Sequence, residues 1–341
     1  MFLRLLCRWL PTDIGMDLGT ANSLLYVRRR GIVLMEPSVV ALDQATGKVL
    51  AVGQQAKEMW GKVPEGIAIV RPMKDGVIAD YEITKAMIKY FIRKIYKGRR
   101  YFRPKMIVCI PSGITQVEKR AVRESTIDAG AGSVHLVEEP MAAAIGAKLP
   151  IGQTGGNMVV DIGGGTTEVA VISRYATVYN ESIRVAGDEM DEAVQTQIRK
   201  AYNLVIGPFE AERAKIEIGS AAVLNSRLET VVRGRDLVNG VPRAVSVDDH
   251  TIREALNSPV RAIVDSIRRA LERTSPEQAA DITRRGIVLA GGGSLLKGLG
   301  SRLHEETNLP IYRAKEPLTA IVRGTGEILE NTKRLFRVCV S

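Results

Sequence analysis

What this chain of 341 residues lacks narrows its function first. Cysteine is scarce. Cys7, Cys109 and Cys339 are odd in number and show no metal-type spacing, and Cys109 lies inside the apolar run 106–110. A disulfide framework is thereby excluded, and reduced thiols in a cytosolic protein are expected. Long apolar runs are also missing. None approaches the roughly 18 residues of a bilayer-crossing helix, so the chain is not expected to cross a membrane. Acid falls short of base, with 48 Lys and Arg against 38 Asp and Glu and a net charge of +10. That excess invites an anionic partner, but no recognised nucleic-acid-binding motif accompanies it, and nucleic acid is not an expected partner.

The basic residues cluster in two places. Arg28, Arg29 and Arg30 precede Gly31 and read as a solvated hairpin tip. Lys97, Arg99, Arg100 and Arg103 interleave with Tyr96, Tyr101 and Phe102, a pattern that fits a lipid-facing loop as well as a solvated one. At the N-terminus Phe2, Leu3, Leu5, Leu6, Trp9 and Leu10 fall on one face of a helical wheel, opposite Arg4 and Arg8, before Pro11 stops the helix. So short a helix does not hold alone in water and must dock. Phe2, Leu3, Leu6, Trp9 and Leu10 above two arginines point to a membrane surface rather than a signal peptide or the chain's own body.

With 45% hydrophobic and 25% charged residues the composition is that of a globular protein. The length exceeds one ordinary core and suits two domains. Apolar strands alternate with amphipathic helices: a helix over 82–97, a strand over 106–110, a helix over 115–129 and a strand over 134–137, which is a mixed α/β layout.

Two glycine-rich turns carry the chemistry. The strand 14–17 ends at Asp17, followed by Leu18, Gly19, Thr20, Ala21, Asn22 and Ser23. The strand 158–161 ends at Asp161, followed by Ile162, Gly163, Gly164, Gly165, Thr166, Thr167 and Glu168. Glycine frees the backbone so that amides converge on one small concavity, an anion seat. A carboxylate beside such a seat makes electrostatic sense only if a cation shares it. Either turn alone is equally a hairpin tip. The pair describes a magnesium-nucleotide site, with Asp17 and Asp161 acting on the ion through bound water. A third cluster, Gly291, Gly292, Gly293 and Ser294, follows an apolar strand over 286–289 and precedes a helix start. That arrangement lets the base or ribose of the same nucleotide approach backbone closely.

Taken in order, DLGT, EEPMAAAIG from Glu138 to Gly146, DIGGGTTE, GDEMD from Gly187 and LAGGGSLLKGL resemble the actin, hexokinase and heat-shock-chaperone ATPase superfamily. Within it they are similar to the MreB-type bacterial actins. The segments IADY at 78–81, KYFIRK at 89–94 and IPSG at 110–113 add to the likeness, which spans about residues 12–330.

The resemblance implies an α/β actin-like ATPase fold, two similar domains around a nucleotide cleft, each with a smaller inserted subdomain. By the same likeness the amphipathic helix spans 1–11. Subdomain IA takes 12–32, 76–145 and 315–341, IB takes 33–75, IIA takes 146–181 and 241–314, and IIB takes 182–240. ATP and magnesium are the implied cofactors, bound by the turn residues above together with Gly187 and Asp188. Glu139, directly before Pro140, would orient the attacking water, and Thr167 would help hold it or sense the γ-phosphate. Read from the residues alone, Glu139 is also a first-turn carboxylate favouring the helix dipole. Glu212, Arg213 and Lys215 resemble ribose and adenine contacts, although Glu212 and Lys215 at i and i+3 fit a surface ion pair as well. The implied function is a slowly hydrolysing, membrane-attached filament that determines cell shape. Its partners would be further copies of itself, the anionic inner face of the cell membrane, and cell-wall synthesis and cell-shape proteins. A chaperone ATPase would need a further substrate-binding domain, a sugar kinase a catalytic base that the chain does not offer, and a non-hydrolysing ATP-binding scaffold is the remaining alternative.

Overall fold

The computed structural model describes residues 13–96 and 103–340. The N-terminal helix expected over 1–11, with Phe2, Leu3, Leu6, Trp9 and Leu10, lies outside the described residues, as does most of the basic aromatic loop. The chain forms two units, one running to Ile151 and resuming at Thr319, the other spanning Gly152–Leu318.

Unit 1 opens with β1 (Ile14–Leu18), β2 (Asn22–Val27) and β3 (Gly31–Pro37). A small sheet follows, with β4 (Val40–Asp43), β5 (Val49–Val52), α1 (Gln54–Met59) and β6 (Ile67–Val70). Next come the short hairpin β7 (Met73–Lys74) and β8 (Val77–Ile78), then α2 (Tyr81–Tyr96), β9 (Lys105–Ile110), α3 (Gln116–Asp128), β10 (Ser133–Glu138) and α4 (Glu139–Gly146). The main sheet has the order β10-β9-β1-β2-β3, with β1 antiparallel to β2 and parallel to β9. Every residue of β1 is buried, as a central strand covered on both faces requires. α3 begins one residue after the expected start because Thr115 serves as its cap: the Glu118 amide donates to Thr115 Oγ1, and the Thr115 amide donates to Glu118 Oε2.

Unit 2 repeats the plan with β11 (Asn157–Ile162), β12 (Thr167–Ser173), β13 (Ala176–Ile183) and α5 (Gly187–Tyr202). Its inserted sheet comprises β14 (Leu204–Val205), β15 (Glu229–Asp236) and β16 (Pro242–Asp248), with α6 (Pro208–Ile218) beside it. α7 (Asp249–Glu272), α8 (Pro276–Arg285), β17 (Ile287–Ala290), α9 (Leu299–Thr307) and β18 (Ile311–Arg313) complete it. The main sheet runs β13-β12-β11-β17-β18, the strand order of unit 1 with the same pattern of antiparallel and parallel neighbours. The expected pair of similar halves is therefore present. β11 is wholly buried, while the edge strand β13 alternates exposed and half-buried residues. α7 lays Ile252, Leu256, Val260, Ile263 and Ile267 along one buried stripe against the unit's core.

The chain then returns to unit 1 as α10 (Ala320–Glu330) and α11 (Thr332–Leu335). α10 meets α4 backbone to backbone, since a Cβ on Gly324 would lie 1.9 Å from the Ala142 carbonyl oxygen. One local expectation fails. After the third glycine cluster the chain makes a 3-10 turn over Gly292–Leu295, and the α-helix starts only at Leu299, because Gly298 adopts a left-handed conformation (φ 70) that interrupts helical geometry.

Candidate functional site

In unit 1 the C-terminal ends of three parallel strands, β1, β9 and β10, come together along one edge of the sheet. Asp17 stands near the end of β1, 8% exposed, and burial alone pushes its carboxyl up from 3.8 to about 7. A carboxyl so poised is only partly ionised at neutral pH, and a cation arriving beside it favours the carboxylate, the hard oxygen donor a magnesium ion needs. The turn after it is braced by side chains. Ser38 Oγ donates to the Gly19 carbonyl at 2.7 Å, the Ser38 amide donates to the Ala21 carbonyl at 3.0 Å, and Ser23 Oγ lies 2.9 Å from Ser38 Oγ. Thr20 Oγ1 accepts from the Gly76 amide at 2.9 Å, in a β7–β8 turn whose Asp75 and Gly76 both have positive φ. Asn22 begins β2 opposite Pro37.

On the same edge β10 runs out at Glu138, which caps α4, and Glu139 enters the first helical turn beside Pro140, 7% exposed. Asp17 and Glu139 thus share the C-terminal edge of one sheet, the side on which open α/β sheets present their ligands.

Unit 2 builds its turn from backbone. The Gly163 amide donates to the Thr166 carbonyl at 2.9 Å, closing the turn on itself. The Gly163 and Gly164 carbonyls are drawn away by the Gly187 and Asp188 amides at 3.2 and 2.7 Å. Gly187 and Asp188 therefore spend their N–H groups on the turn and act through its shape. Among the described residues no backbone acceptor takes the amides of Gly164, Gly165 and Thr166, which leaves them to serve an anion. Asp161 is 2% exposed at the end of β11. Thr167 is fully buried, its hydroxyl donating to the Val185 carbonyl at 2.7 Å.

The third cluster sits beside this turn because β17 pairs with β11, Asp161 opposite Ala290. A Cβ on Gly291 (φ 75) would lie 2.3 Å from the Ile162 carbonyl oxygen and 2.8 Å from Asp161 Oδ1, and one on Gly293 would lie 2.2 Å from Ile162 Cγ2. The space these glycines vacate is filled by the unit's own turn. Ser294 Oγ donates to the Gly291 carbonyl at 2.7 Å, and a Cβ on Gly292 would meet Leu318 at 3.1 Å.

On α6 the expected nucleoside residues divide. Lys215 pairs with Asp191 at 2.8 Å, not with Glu212, and donates to the Gly187 carbonyl at 2.8 Å. The Asp191 carboxyl is pushed up to about 6, chiefly by burial, with Lys215 acting in the opposite direction. Arg213 is committed to structure, bonding Glu210, Glu217, Thr230 and the Val231 carbonyl. Ser38, Gly76 and Asp191 are the positions that sequence reasoning missed. Only the Asp75-Gly76 turn carried a readable signal.

The Arg28–Arg30 tip is the β2–β3 turn as expected, steadied by an Arg29 amide bond to Glu330 Oε1 at 2.6 Å. Among the described residues no three His, Cys, Asp or Glu side chains cluster as a metal centre. A divalent ion here would rely on water and ligand oxygens. No described helix is long and apolar enough to cross a membrane.

The comparisons with known proteins agree with this geometry. The family model described as MreB/Mbl protein matches residues 11–337. The Escherichia coli K12 cell shape-determining protein MreB is 51% identical over 324 residues, covering 93% of each chain. The crystal structure of Spiroplasma citri MreB5 bound to ADP superimposes with a TM-score of 0.90 at 35% identity, covering 95% of this chain and 98% of that one. Bound to AMPPNP, the same protein gives 0.88 at 34% identity over the same shares.

Proposed function

The chain belongs to the MreB/Mbl family of actin-like proteins, and on that premise we propose that it binds ATP with magnesium, assembles into membrane-attached filaments and helps determine cell shape by organising cell-wall synthesis. The observation that carries the nucleotide part is the repeated construction. Each main sheet ends its first strand near a buried aspartate, followed by a turn whose carbonyls are tied back into the protein. The likeness assigns both turns to one nucleotide, and the relatives of this family bound to ADP and AMPPNP favour an adenine nucleotide.

In this reading the Gly164–Thr166 amides hold phosphate oxygens, and Gly19, Thr20, Ala21 and Asn22 do so from the other turn. Asp17 and Asp161 hold magnesium, which when bound supplies positive charge to the phosphates. Gly291–Ser294, beside the second turn, offer their backbone to the base or ribose, and Glu212 and Lys215 border the nucleoside. Glu139, placed in the first turn of α4, orients the attacking water. Thr167 has already donated its hydroxyl proton to Val185, so it can only accept from that water, and slow hydrolysis rests chiefly on Glu139.

Filament assembly, the membrane contact through Phe2, Leu3, Leu6, Trp9 and Leu10, a peripheral cytoplasmic location and the cell-wall partners are part of the same proposal, supported by the family likeness and the amphipathic N-terminal pattern. The test is pelleting of the purified protein with ATP and magnesium, with and without anionic liposomes, alongside a chain lacking residues 2–10. Nucleotide-dependent polymer that follows liposomes only with its N-terminus is the expected result. Absence of polymer under every condition would leave a monomeric ATPase of the same fold. Phosphate release by Glu139→Ala should vanish while nucleotide binding persists.

A further inference from the structure

One half-buried ion pair in unit 2 links the nucleoside side of the proposed site to its phosphate turn. Lys215 reaches from α6 to the first turn and a half of α5, where it donates to the Gly187 carbonyl and pairs with Asp191 Oδ1, both at 2.8 Å. The two side chains are 15% and 14% exposed. Gly187 is bonded at both ends. Its carbonyl holds the lysine, and its amide holds the Gly163 carbonyl at 3.2 Å, while the next amide, of Asp188, holds Gly164 at 2.7 Å. A single residue therefore separates the α6 ammonium from the turn that offers the anion nest. A lysine has a flexible four-carbon stem, and a contact to one carbonyl does not fix its rotamer. Asp191 supplies the second point that does. Glu212 and Asp188, the other carboxylates near Asp191, each add to its raised pKa, so Lys215 is the charge that holds this acidic corner together.

We propose that Asp191 is a positioning residue for the nucleotide: it fixes Lys215, and through Lys215 and Gly187 it couples binding on the nucleoside side to the shape of the Gly163–Gly164 turn. The inference rests on the nucleotide reading given above. A lysine that loses Asp191 leaves the carbonyl of Gly187, and the first turn of α5 relaxes away from the phosphate turn. The competing account is that the pair merely staples α6 to α5, so that its loss lowers stability and affinity in parallel.

The test measures ADP binding calorimetrically, in the presence of magnesium, for the full chain and for Asp191→Asn, Lys215→Met and the double variant, with thermal unfolding of each. Asp191→Asn should weaken ADP by about tenfold, and the double variant should bind no worse than Lys215→Met alone, because both changes remove one coupled element. Asp191→Glu, which keeps the charge, should stay within about threefold of the parent. Multiplying losses in the double variant, or equal losses in Asp191→Glu and Asp191→Asn, would overturn the positioning role, and the Asp191 pair of variants decides it even if Lys215→Met fails to fold. Unchanged ADP affinity in Asp191→Asn removes the relay alone. A parent chain that takes up no ADP removes the nucleotide reading itself, and the relay with it.

Discussion

Unit 1 secures its turn with side chains borrowed from elsewhere in the unit, whereas unit 2 secures the corresponding turn with backbone. Around Gly19 the braces are the Ser38 hydroxyl and amide, the Ser23 hydroxyl and the Thr20 hydroxyl. Around Gly163 they are helix amides from Gly187 and Asp188 and the glycine cluster that leans on Ile162. Both constructions pull turn carbonyls outward, which is the condition for amides to face an anion. The strand order is repeated faithfully, but the means of rigidity is not. The two turns should therefore fail differently, unit 1 on losing a hydroxyl and unit 2 on gaining a carbon.

The largest effect is expected at Gly291. An alanine there would hold a positive φ and press its Cβ to 2.3 Å from the Ile162 carbonyl oxygen. Strain and backbone displacement together should cost unit 2 about 3 kcal/mol or more. Trp60 lies in unit 1, so in a Trp9→Phe chain tryptophan fluorescence follows unit 1 while circular dichroism follows both. Gly291→Ala should lower the urea midpoint seen by circular dichroism and leave the fluorescence midpoint in place. Gly31→Ala in unit 1 also meets a positive φ but nothing within 4 Å, and should cost about 1 kcal/mol. Equal losses would mean that the packing of unit 2's turn does not set its sensitivity.

Comparable in size is the pH dependence of Asp17. Its folded-state pKa of about 7 lies above the ordinary 3.8, so between about pH 4 and 7 the folded state keeps a proton that the unfolded chain has lost. Ligand-free stability of unit 1 should fall as pH rises through that window, by about 4 kcal/mol at most. Asp17→Asn removes the slope. Without ligand this variant should be more stable than the parent at pH 8 and similar at pH 4, while binding magnesium-nucleotide more weakly. Fluorescence-monitored urea midpoints at the two pH values decide it, and a parent midpoint that does not drop relative to the variant would refute the burial account.

The sequence displayed what is periodic or conformationally demanding. The strand 14–17 appears as Ile14–Leu18 and 158–161 as Asn157–Ile162, because a wholly apolar run beside a glycine turn has few other uses. The place of Glu139 in a first helical turn was legible from Pro140, whereas its proposed role in hydrolysis came from the likeness alone. What was not legible depends on contacts distant in sequence. Nothing about Ser38 announces that it will meet Gly19, and the Glu212–Lys215 pair that helical spacing allowed as an alternative gives way to Asp191, which only the packing of α6 on α5 brings near. Helical spacing says which side chains are able to meet, and tertiary neighbours then compete for them. That Gly291 and Gly293 also let their backbone approach Ile162 closely is a packing demand the sequence does not announce.

The smallest effects test the comparison most finely, because they use the same substitution in each unit. Thr20→Val and Thr167→Val both remove one hydroxyl from a buried threonine and preserve its shape. Thr20 is an acceptor, and its loss leaves the Gly76 amide without its partner, a desolvated donor worth about 1–3 kcal/mol. Thr167 is a donor to the Val185 carbonyl, and a carbonyl at a half-buried residue retains access to other donors, so its loss should cost about 0.5–1 kcal/mol. Thr20→Val should accordingly lower the fluorescence midpoint, which reports unit 1, by more than Thr167→Val lowers the circular dichroism midpoint, which reports both units. Phosphate release gives the opposite ranking under the proposed mechanism, since only Thr167 is assigned to the attacking water. A threonine pair that ranked the same way in both measurements would place the hydrolytic effect of Thr167 in the stability of its turn rather than in the chemistry.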